Sequence, residues 1–294
     1  MSTTAPTVEP PQDAAAPTAA TLAAELDRQD DALHDLLVRR AELAQQLAAA
    51  NGERAIFRPG REAETIRRLL GRHAGALPRP TVVRLWRELL AGCLAMQRPL
   101  TIAVCETAPG AGAVQCAREH FGALTPLRVH PSPSQAIAEV SAGIAAAAVL
   151  PMPREDEPAA AAWWVALLHR DEPRIHLVAR LPFWTPRPDG APRVPALVVA
   201  AAPADRSSDD RSLVGFELAP EMSRARLVSA LSAAGLPPLD IILRRDAAAG
   251  VAQGLIVVDG HVADDDPRLA ALAAAVSPPV VLGCYAEPLA GETA

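Results

Sequence analysis

The chain has 294 residues, of which half are hydrophobic and 3% aromatic, and its 28 basic and 34 acidic side chains give a net charge of −6. This length allows two or three domains of ordinary size. The negative charge argues against nucleic-acid binding, which depends on basic patches. Four cysteines and seven histidines are dispersed without Cys-x-x-Cys spacing, so we expect free thiols and no zinc site.

Residues 1–19 are rich in proline and alanine and are predicted to be a disordered tail. They have neither the basic start nor the apolar centre of a signal peptide. No run in the chain approaches the roughly 18 uninterrupted apolar residues that a membrane helix needs. We therefore expect a cytoplasmic protein that does not contact a membrane.

A long helix is predicted first, because leucines recur at helical spacing from Leu22 to Leu47 with charged residues between them. Asn51 and Gly52 both tolerate the left-handed conformation that ends helices. Thirty residues at the helical rise give a length of about 45 Å. So long an amphipathic helix needs partners for its apolar stripe, which predicts a bundle or a dimer.

Two shorter helices are predicted to complete an all-α module over residues 20–99. Arg58 and Pro59 begin the second helix, because proline is favoured in the first helical turn, and it continues to about His73. The third helix runs from about Thr81 to Gln97.

Beyond residue 100 the pattern changes to short apolar runs. A strand at 100–105, a helix at 114–121, a short strand at 126–129, a helix at 134–142 and a strand at 147–150 are predicted. This order indicates a small α/β lobe extending to about residue 200. The loop 108–112 is glycine-rich, but Gln115 stands where a dinucleotide-binding fingerprint has its third glycine, so we expect no nucleotide site. Residues 211–288 are predicted to form a ferredoxin-like βαββαβ domain.

Arg40, the Arg61-Glu62 pair and Gln97 occur in this order on the three predicted helices. Their order and spacing resemble the all-helical chorismate mutases. The remainder resembles the domain order of bifunctional chorismate mutase/prephenate dehydratases, with a truncated dehydratase-like lobe at 100–200 and an ACT-like domain at 211–288. The closing segment Val281-Leu-Gly-Cys-Tyr285 is similar to the last strand of that ACT domain.

The resemblance implies a role for each matched residue. Arg40 and Arg61 would bind the carboxylates of chorismate, Glu62 its hydroxyl group and Gln97 its ether oxygen. Each residue also has a structural interpretation: Arg40 as part of a solvated face, Arg61-Glu62 as a helix cap, and Gln97 as a surface residue. We favour the functional interpretation for Arg40, regard function and capping as compatible for Arg61-Glu62, and leave Gln97 open.

Four positions depart from the family pattern. Ala23 replaces an arginine that reaches into the partner subunit, and Asn51 replaces a lysine that donates to the ether oxygen. Arg58 stands where an aspartate is usual. Cys93 stands where a serine is common, although a core thiol is the more frequent role of such a residue. Asn51, Arg58 and Cys93 are therefore weaker substrate-binding candidates.

The resemblance implies a homodimeric chorismate mutase that rearranges chorismate to prephenate in phenylalanine and tyrosine biosynthesis and needs no cofactor or metal. Val178-Ala-Arg-Leu181 stands where the dehydratase has Thr-Arg-Phe, so we expect dehydratase activity to be absent. One alternative is a catalytically impaired regulatory or scaffold protein of the same pathway, which Ala23 and Asn51 favour. A third interpretation is a module that senses an aromatic amino acid through the ACT-like domain.

Overall fold

A computed structural model describes residues 17–51, 57–97, 100–108, 110, 112–185, 187, 189–191, 193–246, 250–273 and 275–291. Nearly all of the tail predicted to be disordered, residues 1–16, lies outside the described residues. The chain divides into two compact units, Met1–Gly52 and Glu53–Ala294. No helix in the described part is long and apolar enough to cross a membrane.

Helix α1 (Ala19–Asn51) is the element described in the first unit. The Thr18 hydroxyl accepts a hydrogen bond from the backbone N–H of Thr21 at 3.3 Å and so caps the helix. The long helix predicted from the leucine spacing is confirmed. Its large leucine side chains are exposed, Leu26 by 65% and Leu33 by 54%. The described residues of this unit therefore leave the apolar stripe uncovered.

Helices α2 (Pro59–Arg72) and α3 (Arg79–Ala95) belong to the second unit, and both have a proline in the first turn. Their apolar faces form a core together with Phe183 and Trp184 from the α/β part of the chain. The predicted end of the third helix was wrong by two residues. Met96 closes α3 by donating to the Gly92 carbonyl, and Gln97 lies in the following turn.

Nine strands of the second unit form one sheet in the order β2-β1-β3-β6-β4-β10-β7-β9-β8. These strands are β1 (Ile102–Cys105), β2 (Leu127–His130), β3 (Ala147–Pro151), β4 (His176–Leu181), β6 (Ala196–Ala200), β7 (Asp210–Leu218), β8 (Pro238–Asp246), β9 (Val251–Asp259) and β10 (Val280–Ala286). Two short strands, β5 (Trp184–Thr185) and β11 (Leu289–Ala290), form a separate parallel pair. The described α-helices that follow α3 in the second unit are α4 (Ala113–Phe121), α5 (Pro133–Ser141), α6 (Arg224–Ala233) and α7 (Pro267–Leu272).

The strands of residues 100–200 form a mixed α/β region, as predicted. β1 pairs in parallel with β2 and β3, whereas β6 runs antiparallel to both β3 and β4. Strands β1 and β6 are buried along their whole length because helices α4 and α5 and neighbouring segments cover the sheet. Periodicity alone located most of these strands to within two residues.

Strand β10 joins the two groups of strands that the sequence assigned to different domains. It pairs in parallel with β4, where Gly283 meets Leu177, and antiparallel with β7. The strands of residues 100–200 and 210–286 therefore share one sheet. The unit boundary also falls between α1 and α2, inside the predicted segment 20–99. The domain boundaries 20–99, 100–200 and 211–288 stay predictions.

Gly283 is required by the close approach of β10 to β4. Its φ is +136°, and a Cβ atom there would lie 2.1 Å from the Leu177 carbonyl oxygen. We expect Gly283→Ala to lower the free energy of unfolding by at least about 2 kcal/mol, because strained backbone and overpacking each cost about 1–3 kcal/mol. Urea unfolding followed by circular dichroism measures this change.

Gly71→Ala is the matched control, since a Cβ atom at this position of α2 meets nothing within 4 Å. A helical alanine there should raise stability by about 0.5–1 kcal/mol. If the two variants unfold at the same urea concentration, the contact between Gly283 and Leu177 does not constrain the sheet.

Candidate functional site

Helices α2 and α3 run antiparallel, which brings several of the predicted site residues to one end of the pair. The Glu62 carboxylate meets Arg87 Nη1 at 3.0 Å, and eight residues further along α2 the Leu70 carbonyl meets Arg79 Nη1 at 3.3 Å. The N-terminal end of α2 therefore lies beside the C-terminal half of α3. Arg58, Arg61 and Glu62 lie at or beside the N-terminal end of α2, and Cys93 and Gln97 follow Arg87 along the chain.

The N-terminus of α2 is capped from the loop that precedes β7. The Asp205 carboxylate accepts hydrogen bonds from the backbone N–H groups of Gly60 at 2.9 Å and Arg61 at 2.8 Å. Arg58 Nε lies 3.5 Å from the same carboxylate. A negative charge stabilises the positive end of a helix dipole. Asp205 therefore supplies the cap that the sequence analysis considered for Arg61-Glu62.

Glu62 and Arg87 form a buried ion pair in the core between α2 and α3. The side chain of Glu62 is 17% exposed and that of Arg87 is 4% exposed. The Arg87 guanidinium also lies over the Phe183 ring, 4.4 Å from its centroid. Burial raises the pKa of Glu62, and the charge of Arg87 opposes that rise. Burial lowers the pKa of Arg87 to about 10, so this guanidinium stays charged at neutral pH.

The remaining predicted residues of the second unit differ in their surroundings. The Arg61 side chain is exposed, whereas Gln97 is half-buried. Arg58 is exposed and paired with Asp205. Cys93 is buried, as expected of a core thiol. Arg61 is therefore an exposed cation at this end whose side chain can reach a ligand without breaking a buried contact.

Arg40 and Asn51 belong to the first unit. Arg40 is half-buried on α1 and lies seven residues from both Leu33 and Leu47, so it falls on the face of the apolar stripe. Asn51 is the last residue of α1, and its side chain lies outside the described part. Both interpretations of Arg40, as part of a solvated face and as a substrate-binding residue, stay predictions.

Sequence reasoning missed Arg87 and Asp205. Arg87 has a sequence signal, because it follows Val83 by one helical turn and precedes Leu90 and Leu94 at helical spacing. A cation on such a face is expected to be buried with a partner. Asp205 has no local signal, since it acts on a helix 144 residues earlier in the chain.

A cavity of about 350 Å³ lies on the other side of Arg87, between α3, α4 and the segment after β4. Three guanidinium groups line it, those of Arg84, Arg87 and Arg187, together with His120 and the Arg187 partner Glu119. Burial and the charge of Arg87 hold the pKa of His120 well below its usual value, so this imidazole is neutral. The cavity suits a small anion better than a cation.

Comparison with known proteins finds a family match for the helical part of the chain. Residues 22–98 match the chorismate mutase type II family. The resemblance predicted from Arg40, Arg61-Glu62 and Gln97 is therefore confirmed for this segment, which contains all four residues. The matched segment crosses from the first compact unit into the second.

Bifunctional chorismate mutase/prephenate dehydratases are similar to this chain. The Neisseria gonorrhoeae enzyme is 39% identical over 97 residues, which cover 33% of this chain and 26% of that protein. The Pseudomonas aeruginosa enzyme is 34% identical over 131 residues, covering 42% and 34% respectively. Both alignments are longer than the chorismate mutase type II segment, which spans residues 22–98. The chain matches less than half the length of these relatives.

Two solved structures resemble the fold distantly. GqqA, described as a novel type of quorum-quenching acylase, has a TM-score of 0.47 and 17% identity, covering 63% of this chain and 94% of that chain. Prephenate dehydratase from Streptococcus mutans has a TM-score of 0.47 and 15% identity, covering 63% and 97%.

Removing one partner of the buried ion pair should destabilise the second unit. We expect Arg87→Met to lower the free energy of unfolding by about 3–5 kcal/mol at pH 7, because Glu62 is then buried without its counter-charge. Loss of Arg87 raises the already elevated pKa of Glu62 further. When the pKa of a carboxyl group is higher in the folded than in the unfolded state, the folded state loses stability as the pH rises. The loss of unfolding free energy in Arg87→Met should therefore be smaller at pH 5 than at pH 7.

Urea unfolding at pH 5 and pH 7 measures this deficit, the free energy of unfolding that Arg87→Met loses relative to the parent protein. The control is the deficit of the double variant Glu62→Gln/Arg87→Met relative to Glu62→Gln, which should not change with pH because neither protein has a carboxyl group at the pair. An equal pH dependence in the single and double variants would contradict the assignment to Glu62.

Proposed function

We propose that this protein is a chorismate mutase, rearranging chorismate to prephenate in phenylalanine and tyrosine biosynthesis. The observation that carries the proposal is the match of residues 22–98 to chorismate mutase type II, with arginine, glutamate and glutamine at the positions that the resemblance singles out. The relatives that share this segment are bifunctional chorismate mutase/prephenate dehydratases.

The proposed residues suit the chemistry of this reaction. Chorismate is a dianion, and its rearrangement is intramolecular, so catalysis requires neither a nucleophile nor proton transfer. A site accelerates it by holding the compact conformer and stabilising the negative charge that develops on the ether oxygen. Arg40 and Arg61 would bind the carboxylates through their planar guanidinium groups, and Gln97 would donate to the ether oxygen.

Glu62 would accept a hydrogen bond from the substrate hydroxyl group. Its hydrogen bond from Arg87 Nη1 uses one carboxylate oxygen, Oε2, which leaves Oε1 for the substrate. The buried guanidinium would also keep the carboxylate ionised and oriented. Arg87 would therefore position Glu62 without touching chorismate.

We further propose that α1 pairs with a second copy of the chain. Its exposed leucines form an apolar stripe, and Arg40 lies on the same face. Burying this stripe in a helical bundle would stabilise a helix of this length. It would also bring Arg40 into a desolvated site where a carboxylate is bound more strongly.

A regulatory or scaffold protein without chemistry is the second candidate. Glu62 is already engaged by Arg87, and the family's arginine and lysine are replaced by Ala23 and Asn51. Loss of two such cations would weaken stabilisation of the transition state. Arg58 would then serve only to hold Asp205 at the helix end.

For the rest of the chain we propose a reduced dehydratase-like lobe without dehydratase activity and an ACT-like domain. Arg180 stands at the arginine of the Thr-Arg-Phe motif, but its guanidinium donates to the Tyr285 hydroxyl at 3.3 Å. The order β10-β7-β9-β8, antiparallel throughout, with α6 and α7 as the connecting helices, supports the ferredoxin-like assignment.

Loss of chorismate absorbance with the purified full chain tests the activity. Arg40→Ala and Arg61→Ala should each lower kcat/KM by about 100-fold or more, because each removes one carboxylate contact. Arg68→Ala, an exposed arginine on the same helix as Arg61, is the matched control and should retain parental kinetics. A folded parent protein without turnover above the uncatalysed rate would favour the scaffold.

Sedimentation equilibrium tests the pairing of α1. Leu33→Glu should raise the dimer dissociation constant by at least about tenfold, since it buries a charge in the apolar stripe. Ala24→Glu places the same charge on the opposite face of α1 and should leave association unchanged. Equal effects of the two substitutions would show that the leucine stripe is not the contact surface.

A further inference from the structure

Three metal-binding side chains meet where β7, β9 and β10 come together. Asp210 begins β7, Cys284 lies on β10, and His261 follows the end of β9. One ligand atom from each residue lies within 4.8 Å of the other two. His261 Nδ1 and Cys284 Sγ are 3.3 Å apart. Asp210 and Cys284 are buried, and His261 is half-buried.

The sheet register explains why these side chains converge. Cys284 pairs with Ser212 across β10 and β7, and Asp210 lies two residues before Ser212, on the same face of β7. The backbone N–H of Gly260 donates to the Asp210 carbonyl at 2.9 Å, which brings the next residue, His261, beside both.

Surrounding hydrogen bonds hold the Asp210 and His261 donors in place. The Ser207 backbone N–H donates to Asp210 Oδ2 at 2.9 Å, and its hydroxyl donates to Oδ1 at 2.5 Å. The buried Ser212 hydroxyl donates to the Gly260 carbonyl and accepts from the Val262 N–H, both at 2.8 Å. These two bonds fix the backbone on either side of His261. Metal sites depend on supporting contacts of this kind.

One arginine, Arg211, pairs with three other carboxylates around the cluster. Arg211 Nη1 pairs with Asp209 at 3.1 Å and Asp259 at 2.5 Å, and its Nε lies 3.7 Å from Glu287. Arg67 donates to the Ser207 hydroxyl at 3.0 Å. The Asp210 carboxylate has hydroxyl and amide partners instead, so its negative charge remains to attract a metal ion.

The geometry points to a site for a divalent transition metal ion of the zinc type, bound by Cys284 Sγ, His261 Nδ1 and an Asp210 carboxylate oxygen. A tetrahedral zinc ion with bonds of about 2.0–2.3 Å separates two such donors by about 3.5 Å. Thiolate and imidazole ligands select zinc-type ions over Mg²⁺ or Ca²⁺. The fourth position would face the solvent beside half-buried His261.

Metal binding replaces the hydrogen bond between His261 Nδ1 and Cys284 Sγ. The thiol proton leaves to solvent as the sulfur–metal bond forms, and the His261 Nδ1 lone pair coordinates while Nε2 carries the ring proton. No oxidation or reduction is involved. The bound ion would link the ends of three strands in the part of the sheet that follows residue 200, and so would stabilise the second unit independently of chorismate chemistry.

Titration of the chelator-treated full chain with Co²⁺ tests the site. We expect one equivalent to give the intense visible bands of a tetrahedral ion and a near-ultraviolet thiolate-to-cobalt band, and Zn²⁺ to displace it. Cys284→Ser should abolish the thiolate band. His261→Gln and Asp210→Asn should weaken Co²⁺ binding by at least about 10–100-fold, which is the loss already seen when a supporting contact is removed.

Cys105→Ser is the matched control, since Cys105 is an equally buried thiol on another strand, and it should retain the thiolate band. Absence of the band in the parent protein, or its survival in Cys284→Ser, would overturn the assignment. If Cys284→Ser fails to fold, His261→Gln decides, because His261 lies at the surface end of the cluster. Unchanged Co²⁺ affinity in folded His261→Gln would equally exclude the site.

Discussion

The buried ion pair between Glu62 and Arg87 determines how the helical segment is attached to the sheet. Two charges with so little exposure must stay together, because separating them would leave each one desolvated and unpaired. The pair therefore fixes the register of α2 against α3. Phe183 covers the guanidinium from the segment after β4, so the same contact links both helices to the α/β part.

The Asp205 cap acts on the same end of α2 and gives this arrangement a second constraint. It holds the first turn of the helix through two backbone N–H groups, and a side chain at Gly60 would collide with the Asp205 carbonyl at 2.3 Å. The orientation of Glu62 therefore depends on contacts outside the chorismate mutase type II segment. Arg61 would be the better test of the proposed substrate binding, because its exposed side chain takes no part in this packing.

Features set by local sequence were predictable. Pro59 marked the start of α2, the leucine spacing predicted α1, and the apolar run at 147–150 predicted β3. Features set by distant residues were not. The approach of Gly283 to Leu177, which joins β10 to β4, is specified by tertiary packing and has no periodicity of its own. Arg87 is an intermediate case, since its position on an apolar helix face was visible although its partner was not.

The cluster of Asp210, His261 and Cys284 shows why spacing along the chain was a poor guide to metal ligands here. Spacing rules describe sites in which a short loop supplies two neighbouring ligands. In an antiparallel sheet, by contrast, side chains meet according to register, and residues far apart in the chain become neighbours on one face. Once β7 is known to lie between β9 and β10, the pairing of Cys284 with Ser212 and the bond from Gly260 to Asp210 bring all three donors together. Dispersed cysteines and histidines are therefore weak grounds for excluding a metal site in a protein whose strands are ordered by packing.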